Sequence, residues 1–153
     1  YALWSLGALG DPQARASLEA ALGDADPGLR KTAAYALGEL GDRAAVPRLE
    51  AALDDAVADV RWNAALSLAR LGSRAGVPVL ETMADRRLLA QVPGITREQQ
   101  EDAIVSAVQA LAVVGGPEHR ALLDRLAADD PSLKVRQAAI EARTALAGRR
   151  AGA

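Results

Sequence analysis

His119 is the single histidine of this chain, and there is no cysteine. Those two facts remove much of the reactive chemistry a protein can carry. Without cysteine there is no thiolate nucleophile, no thiolate-bound metal and no disulfide. A lone imidazole cannot build a two-histidine metal site within one chain. His119 stands in GGPEHRALL, at the head of an apolar run, and the expected setting is the solvent-exposed first turn of a helix. No serine lies at a spacing from it that suggests a nucleophile and its base, and no glycine-rich phosphate loop is present.

Carboxylates are the other candidates for chemistry. Asp54 with Asp55, Glu98 with Glu101 and Asp102, and Asp129 with Asp130 form local clusters. Paired carboxylates can act as acid and base when their surroundings separate their pKa values. Each cluster here falls at a helix start or an interhelix turn, where such residues cap free N–H groups and complement the helix dipole. The expectation is a protein with no enzymatic activity, no metal and no cofactor.

The elements that position these residues come from a repeat. ALWSLGALG, AAYALGELG and AALSLARLG set Leu6, Leu37 and Leu68 at a step of 31 residues. Leu9, Leu40 and Leu71 keep that step, as do Gly10, Gly41 and Gly72. A period of this length marks units too small to bury their own apolar face, which stack and share one core. Within a unit, Asp26 offers an N-cap, Pro27 suits the first helical position and Gly41 a left-handed C-terminal cap. Leu29, Ala33, Ala36, Leu37 and Leu40 between them trace one helical stripe. After a turn at Gly41-Asp42, Val46, Leu49 and Leu53 define a second helix, with Pro47 tolerated in its first turns. The unit is a helical hairpin.

The fourth copy is displaced by 43 residues, with Leu111 opposite Leu68 and Gly115 opposite Gly72. The extra length is an insertion at residues 86–97, with Pro93-Gly94 as a turn. Thr96 and Gln99 read as a capping box that opens a helix over residues 97–114. The fifth copy starts at Asp130-Pro131 and places Arg143 where earlier copies carry Leu37 and Leu68, as a terminal capping repeat should. Residues 148–153 form a polar tail.

Half the residues are apolar, a quarter are charged and the net charge is −2, which excludes a disordered or collagen-like chain. No stretch approaches the roughly 20 apolar residues of a membrane span. Near-balanced charge argues against a dedicated DNA binder, which carries a basic surplus. Residues 1–153 are read as one solenoid of about four and a half hairpins. The chain opens inside a repeat and without methionine, so it is read as part of a longer array, located in the cytoplasm.

These repeats resemble HEAT repeats of the short type named after phycobilisome-lyase proteins. The features that carry the resemblance are Pro47 and Pro78 in the first helix and the A-L-G-x-L-G ending. An apolar-Arg pair opens the second helix at Leu29-Arg30, Val60-Arg61 and Val135-Arg136. The resemblance implies an all-α, right-handed superhelix. It also implies a ladder in which an aspartate six residues before each arginine fixes one hairpin against the next: Asp24 with Arg30, Asp55 with Arg61, Asp130 with Arg136. In the fourth copy Ile104 and Glu98 stand where the arginine and aspartate are expected, so the stacking should change there. The family spans protein-binding scaffolds, bilin-attachment factors, a metal-dependent hydroxylase with His-Glu iron ligands and DNA-repair glycosylases.

By the same resemblance, the face of the second helices opposite Leu37 and Leu40 lines a concave surface. Trp4, Tyr35, Leu66, Gln109 and Glu141 share one register position there, and Trp62 stands at the position of Lys31. Tyr1 maps to the position of Thr32 and Asn63, so all four aromatics fall outside the core stripe. An exposed aromatic row is a signature of interaction hot spots. The reading is a non-catalytic protein–protein interaction scaffold, with Trp4, Tyr35, Trp62 and Leu66 as apolar anchors and Lys31, Glu39, Asn63, Arg70 and Gln109 as polar contacts. The insertion, with Leu88, Leu89, Val92 and Ile95, reads as a flap at the groove edge or a neutral loop elaboration. Self-association through exposed repeat ends is an alternative for the aromatics. The rival functions are a bilin-lyase-like chromophore factor, with Arg70 and Arg74 near Trp62 for the propionates, and a weak nucleic-acid binder using Lys31, Arg70, Arg86, Arg87 and Arg97.

Overall fold

Asp26 accepts a hydrogen bond from the Gly28 N–H at 2.7 Å, Pro27 fills the first helical turn, and Gly41 leaves the helix at φ 73°. These local devices set the bounds of one helix, Pro27–Leu40, and the same logic recurs along the chain. The computed structural model describes residues 12–151, with side chains from 13 to 148, so Tyr1 and Trp4 lie outside the described residues. All regular structure among the described residues is helical: α1 Pro12–Ala21, α2 Pro27–Leu40, α3 Val46–Ala51, α4 Ala58–Arg70, α5 Val77–Met83, α6 Arg86–Leu89, α7 Arg97–Val114, α8 Arg120–Asp129 and α9 Leu133–Ala151. The fold class is an all-α solenoid of helical hairpins. The chain divides into two compact units, Tyr1–Val79 and Leu80–Ala153, with the division inside α5.

In the first unit α2 packs against both α1 and α4, and α3 packs against α4. Leu18, Leu37, Leu49 and Leu68 are fully buried at the centre, with Ala34, Ala36, Ala45 and Ala64 between them. Alanine at these positions lets the helices approach closely. The closest approach is at Gly38, where an added Cβ would lie 2.6 Å from Ser67 Cβ. Ser67 Oγ donates to the Ala34 carbonyl at 2.8 Å, so the one buried hydroxyl at this contact is satisfied. Leu29, expected on the buried stripe, is 39% exposed because it sits in the first turn of α2, at the rim of the hairpin.

One guanidinium ties consecutive hairpins of this unit. Arg30 donates from Nε to Asp55 Oδ2 at 2.7 Å and from Nη2 to Asp55 Oδ1 at 3.0 Å. Its Nη1 donates to the Asp24 and Ala25 carbonyls. Asp55 Oδ1 also accepts the Val57 N–H, as Asp24 Oδ1 accepts the Asp26 N–H. The hydrogen bond from Arg30, followed by the Val57 N–H and the charge of Arg30, holds the Asp55 carboxyl below its ordinary range. The same bond raises Arg30 above its ordinary value. Arg61 Nη1 repeats the carbonyl contacts, to Asp55 and Ala56.

In the second unit α9 packs against both α7 and α8, and α6 touches α7. The Thr96–Gln99 capping box is formed in both directions and starts α7 at Arg97. Pro93-Gly94 is a turn, with Gly94 at φ 74°. The helix α9 continues to Ala151, so the residues after Gly148 extend the helix over three more positions.

The ladder takes a different course here. Asp85, not Glu98, makes the aspartate turn, accepting the Arg87 N–H at 2.8 Å. Arg86, the first residue of the insertion, supplies the guanidinium, with Nη2 to Asp130 Oδ1 at 2.8 Å and Nε to Asp130 Oδ2 at 3.3 Å. Asp130 Oδ1 accepts the Ser132 N–H, so the atom pairing matches that of Arg30 and Asp55. Ile104, at the expected arginine position, is fully buried in the core. The Arg136 side chain has no partner among the described residues, so the Asp130–Arg136 pairing implied by the resemblance is replaced by Asp130–Arg86.

His119 also departs from expectation. It is 2% exposed, and its Nδ1 accepts the Gly116 N–H at 3.0 Å. Nε2 lies 3.2 Å from Glu81 Oε1, without the alignment of a hydrogen bond. The ring can enter because a Cβ on Gly115 would stand only 3.1 Å from Nδ1, a space glycine leaves open.

Candidate interaction face

Tyr35 is the exposed aromatic among the described residues of the first unit, at 37% of its surface. Its position on α2 places Lys31 one turn before it and Glu39 one turn after it. The neighbouring helix α4 contributes Trp62, Asn63 and Leu66, all half-buried, and the exposed Arg70. The Arg70 guanidinium stands 5.3 Å from the centroid of the Tyr35 ring, in cation–π range. Arg70 also pairs with Glu39, so one cation joins an aromatic ring and a carboxylate of the adjacent helix.

At the other end of the same face, Lys31 Nζ lies 3.3 Å from Asp59 Oδ2, and Asn63 Nδ2 donates to the Asp59 carbonyl at 2.8 Å. Asp59 was not among the residues expected here. Its spacing of 28 from Lys31 gives no local signal, because the pair forms only when α2 and α4 lie side by side. Seven of the nine expected contact residues thus lie on these two helices: Lys31, Tyr35 and Glu39 on α2, and Trp62, Asn63, Leu66 and Arg70 on α4. Gln109 is exposed on α7 of the second unit, and Trp4 is outside the described residues.

The charges of this face are internally balanced, Lys31 by Asp59 and Arg70 by Glu39. An aromatic surface with paired charges can take an apolar side chain without first stripping water from a free ion. In the insertion, Arg86 is held by Asp130 and Arg97 by Glu101. Four of the five candidate phosphate contacts therefore already have carboxylate partners. Among the described residues there is no group of three or more His, Asp or Glu placed to hold a metal ion. No helix among them is long and apolar enough to cross a membrane.

Paired helices, an apolar shared core and recurring aspartate–arginine ties define a helical-repeat protein. The chain belongs to the HEAT-repeat family, whose model, described as HEAT repeats, matches residues 1–69 and again 24–92. A solved structure similar to this chain is the complex of CpcE and CpcF of phycocyanin lyase from Nostoc sp. PCC7120, with a TM-score of 0.75 and 31% sequence identity. The match covers 99% of this chain and 60% of that chain, so the present chain spans a little under two thirds of that chain's length. No protein of curated function matches.

This likeness overturns the expectation that the chain has no enzymatic role. The matched structure is a complex of a phycocyanin lyase, an enzyme, and contains a chain of this fold. An inventory of nucleophiles, bases and metal ligands detects only chemistry done by side chains. Holding reactants in position lowers a barrier without any such set.

Proposed function

We propose that this chain is a protein-interaction module that receives a partner protein on the α2–α4 face. The observation that carries this reading is the half-open Tyr35 ring, held under the Arg70 guanidinium beside Trp62 and Leu66. A rigid aromatic flanked by paired charges has the composition of an interface centre, where Trp, Tyr and Arg dominate. Because both helices are fixed by Ser67 and Arg30, little conformational entropy is lost when a partner docks. The balanced charges favour a protein partner over nucleic acid, for which unpaired cations would be needed to displace counterions.

The test compares wild type with Tyr35→Ala/Trp62→Ala in affinity capture, with folding of both checked by circular dichroism. A partner held by wild type and lost by the folded double variant supports the reading. Equal capture by both, or loss of folding in the variant, overturns it.

A second reading is favoured by 31% identity across 99% of the chain to a phycocyanin lyase complex. Here the chain is one member of a lyase-like assembly, and its face meets a second helical-repeat chain or a phycocyanin-like acceptor. Mixing with a linear tetrapyrrole and a candidate acceptor separates the two readings, since a lyase-like role requires a new, denaturation-resistant visible absorbance on the acceptor.

A further inference from the structure

Leu18, Leu49, Leu80 and Leu123 occupy one register position in the first helices of four hairpins, and each is fully buried. Four residues before them stand Ala14, Ala45, Gly76 and His119. Ala14 and Ala45 are fully buried, and an added Cβ on Gly76 would lie 2.8 Å from Ala65 Cα. Three copies thus have room for a methyl group or less, and the fourth buries an imidazole there.

The turn before His119 is rebuilt to admit the ring. Gly41 and Gly72 leave their helices at φ 73° and 75°, whereas Gly115 follows α7 with φ −68° and ψ 169°. At the next position Asp42 and Ser73 each accept the N–H two residues on, but the fourth copy has Gly116, with no side chain to offer. His119 supplies the acceptor instead, and its Nδ1 takes the Gly116 N–H at 3.0 Å. That bond assigns the proton of the neutral ring to Nε2. A carboxylate or a hydroxyl stays an acceptor between about pH 5 and 8, and an imidazole does not. A second proton enters at Nδ1 and sets it, as a donor, against the Gly116 N–H.

We propose that His119 is an acid-released latch on the turn between α7 and α8. Protonation exchanges the Gly116 N–H for acceptors already beside Nδ1: the Gly116 carbonyl at 3.3 Å and Glu118 Oε1 at 3.5 Å. The Glu118 carboxylate lies so close over the turn that an added Cβ on Gly116 would strike it. At the other edge of the ring, Nε2 is buried without a hydrogen bond, 3.2 Å from Glu81 Oε1. A small rotation brings its N–H into line with that carboxylate. The charged groups facing the ring are therefore Glu81 from α5 and Glu118 from its own turn, and α7 adds the partial negative charge of its carbonyl end. The closed turn cannot take the proton without losing its bond, and the released turn can, so acid favours release. This device lies within the second unit and does not depend on the α2–α4 reading.

The experiment is a pH titration of the isotopically labelled chain by magnetic resonance, in which the signals of the single histidine assign themselves. The neutral ring should carry its proton on Nε2. As His119 titrates, exchange of the Gly116 amide, corrected for its intrinsic rate, should quicken about tenfold, as for the loss of one hydrogen bond. The Gly28 amide, bonded to Asp26, is the control and should not respond over that range. His119→Asn keeps an acceptor near the place of Nδ1 and does not titrate, so Gly116 should stay protected throughout. Glu118→Gln should move the release to lower pH. A neutral ring protonated on Nδ1, Gly116 exchange that ignores the titration, or a ring that does not titrate between about pH 5 and 8 overturns the proposal. So does a response that survives in His119→Asn shown by circular dichroism to be folded, or an unchanged release in Glu118→Gln. Should His119→Asn fail to fold, the tautomer and the exchange of the unaltered chain decide alone.

Discussion

The two units tie their hairpins with one device drawn from different places in the sequence. In the first, Arg30 comes from the first turn of α2 and reaches Asp55, 25 residues ahead. In the second, Arg86 comes from the insertion and reaches Asp130, 44 residues ahead. Both join Nε and Nη2 to the two oxygens of an aspartate whose Oδ1 already accepts a backbone N–H two residues on. What is held constant is a turn-locked carboxylate met by a two-pronged guanidinium, since that geometry is strong and directional. The chain position of the arginine is free, and at Ile104 the vacated site has become apolar core. The units also differ in how they pair exposed charge: Arg70 with Glu39 beside Tyr35 in the first, and Arg120 and Arg143 sharing Asp124 in the second.

The sharpest test of this contrast uses one register position in both units. Leu37→Ala and Leu111→Ala should each cost about 2–5 kcal/mol in urea unfolding, as truncations of fully buried leucines. Arg143→Leu should change stability in the opposite direction, and a loss there would mean that the α9 position is not a vacated core site. Next comes the helix contact. Gly38→Ala should cost about 1–3 kcal/mol through overpacking against Ser67, whereas Thr144→Ala should stay within about 0.5 kcal/mol.

The ladder predicts a smaller, matched pair of effects. Arg30→Ala and Arg86→Ala should lower the melting temperature by similar amounts, and adding Ile104→Arg to the second should not restore it. A rescue by Ile104→Arg would show that the helix-borne arginine, not the insertion, fixes the spacing. Acid should act through the same bond. Asp55 is held below its ordinary range near 3.9 by Arg30, so its contribution is complete above that value and is lost as pH falls through the depressed one. Arg30→Ala should therefore flatten the acid limb of the stability curve. The smallest effect belongs to the exposed face, where Tyr35→Ala should change stability by no more than about 0.5 kcal/mol while weakening partner capture.

What the sequence made legible was local. Asp26 and Gly41 bound α2, and Thr96 with Gln99 opens α7, because capping depends on residues two or three apart. The 31-residue step revealed the hairpins and placed Tyr35, Trp62 and Arg70 on neighbouring helices. Most of the departures depend on distant partners. Arg86 looked like a loop residue because Asp130 is far along the chain, and His119 looked exposed because its burial depends on Gly115, Gly116 and Glu81. Asp59 escaped notice for the same reason, since nothing near it in sequence indicates Lys31. The likeness to a lyase complex was not legible for another cause: reactive side chains are recognisable by type, whereas a surface that positions other molecules is not.

The location of Arg86 has a consequence for how such a chain tolerates change in length. Because the tie is made by the first residue of the insertion, the segment 90–96 behind it stands outside the path by which α8 and α9 are secured. Residues can be added to or removed from that bend at only the slowly growing entropy of a longer loop. The bend is therefore a natural seam for grafting, where foreign sequence can be carried without disturbing the alignment of the hairpins on either side of it.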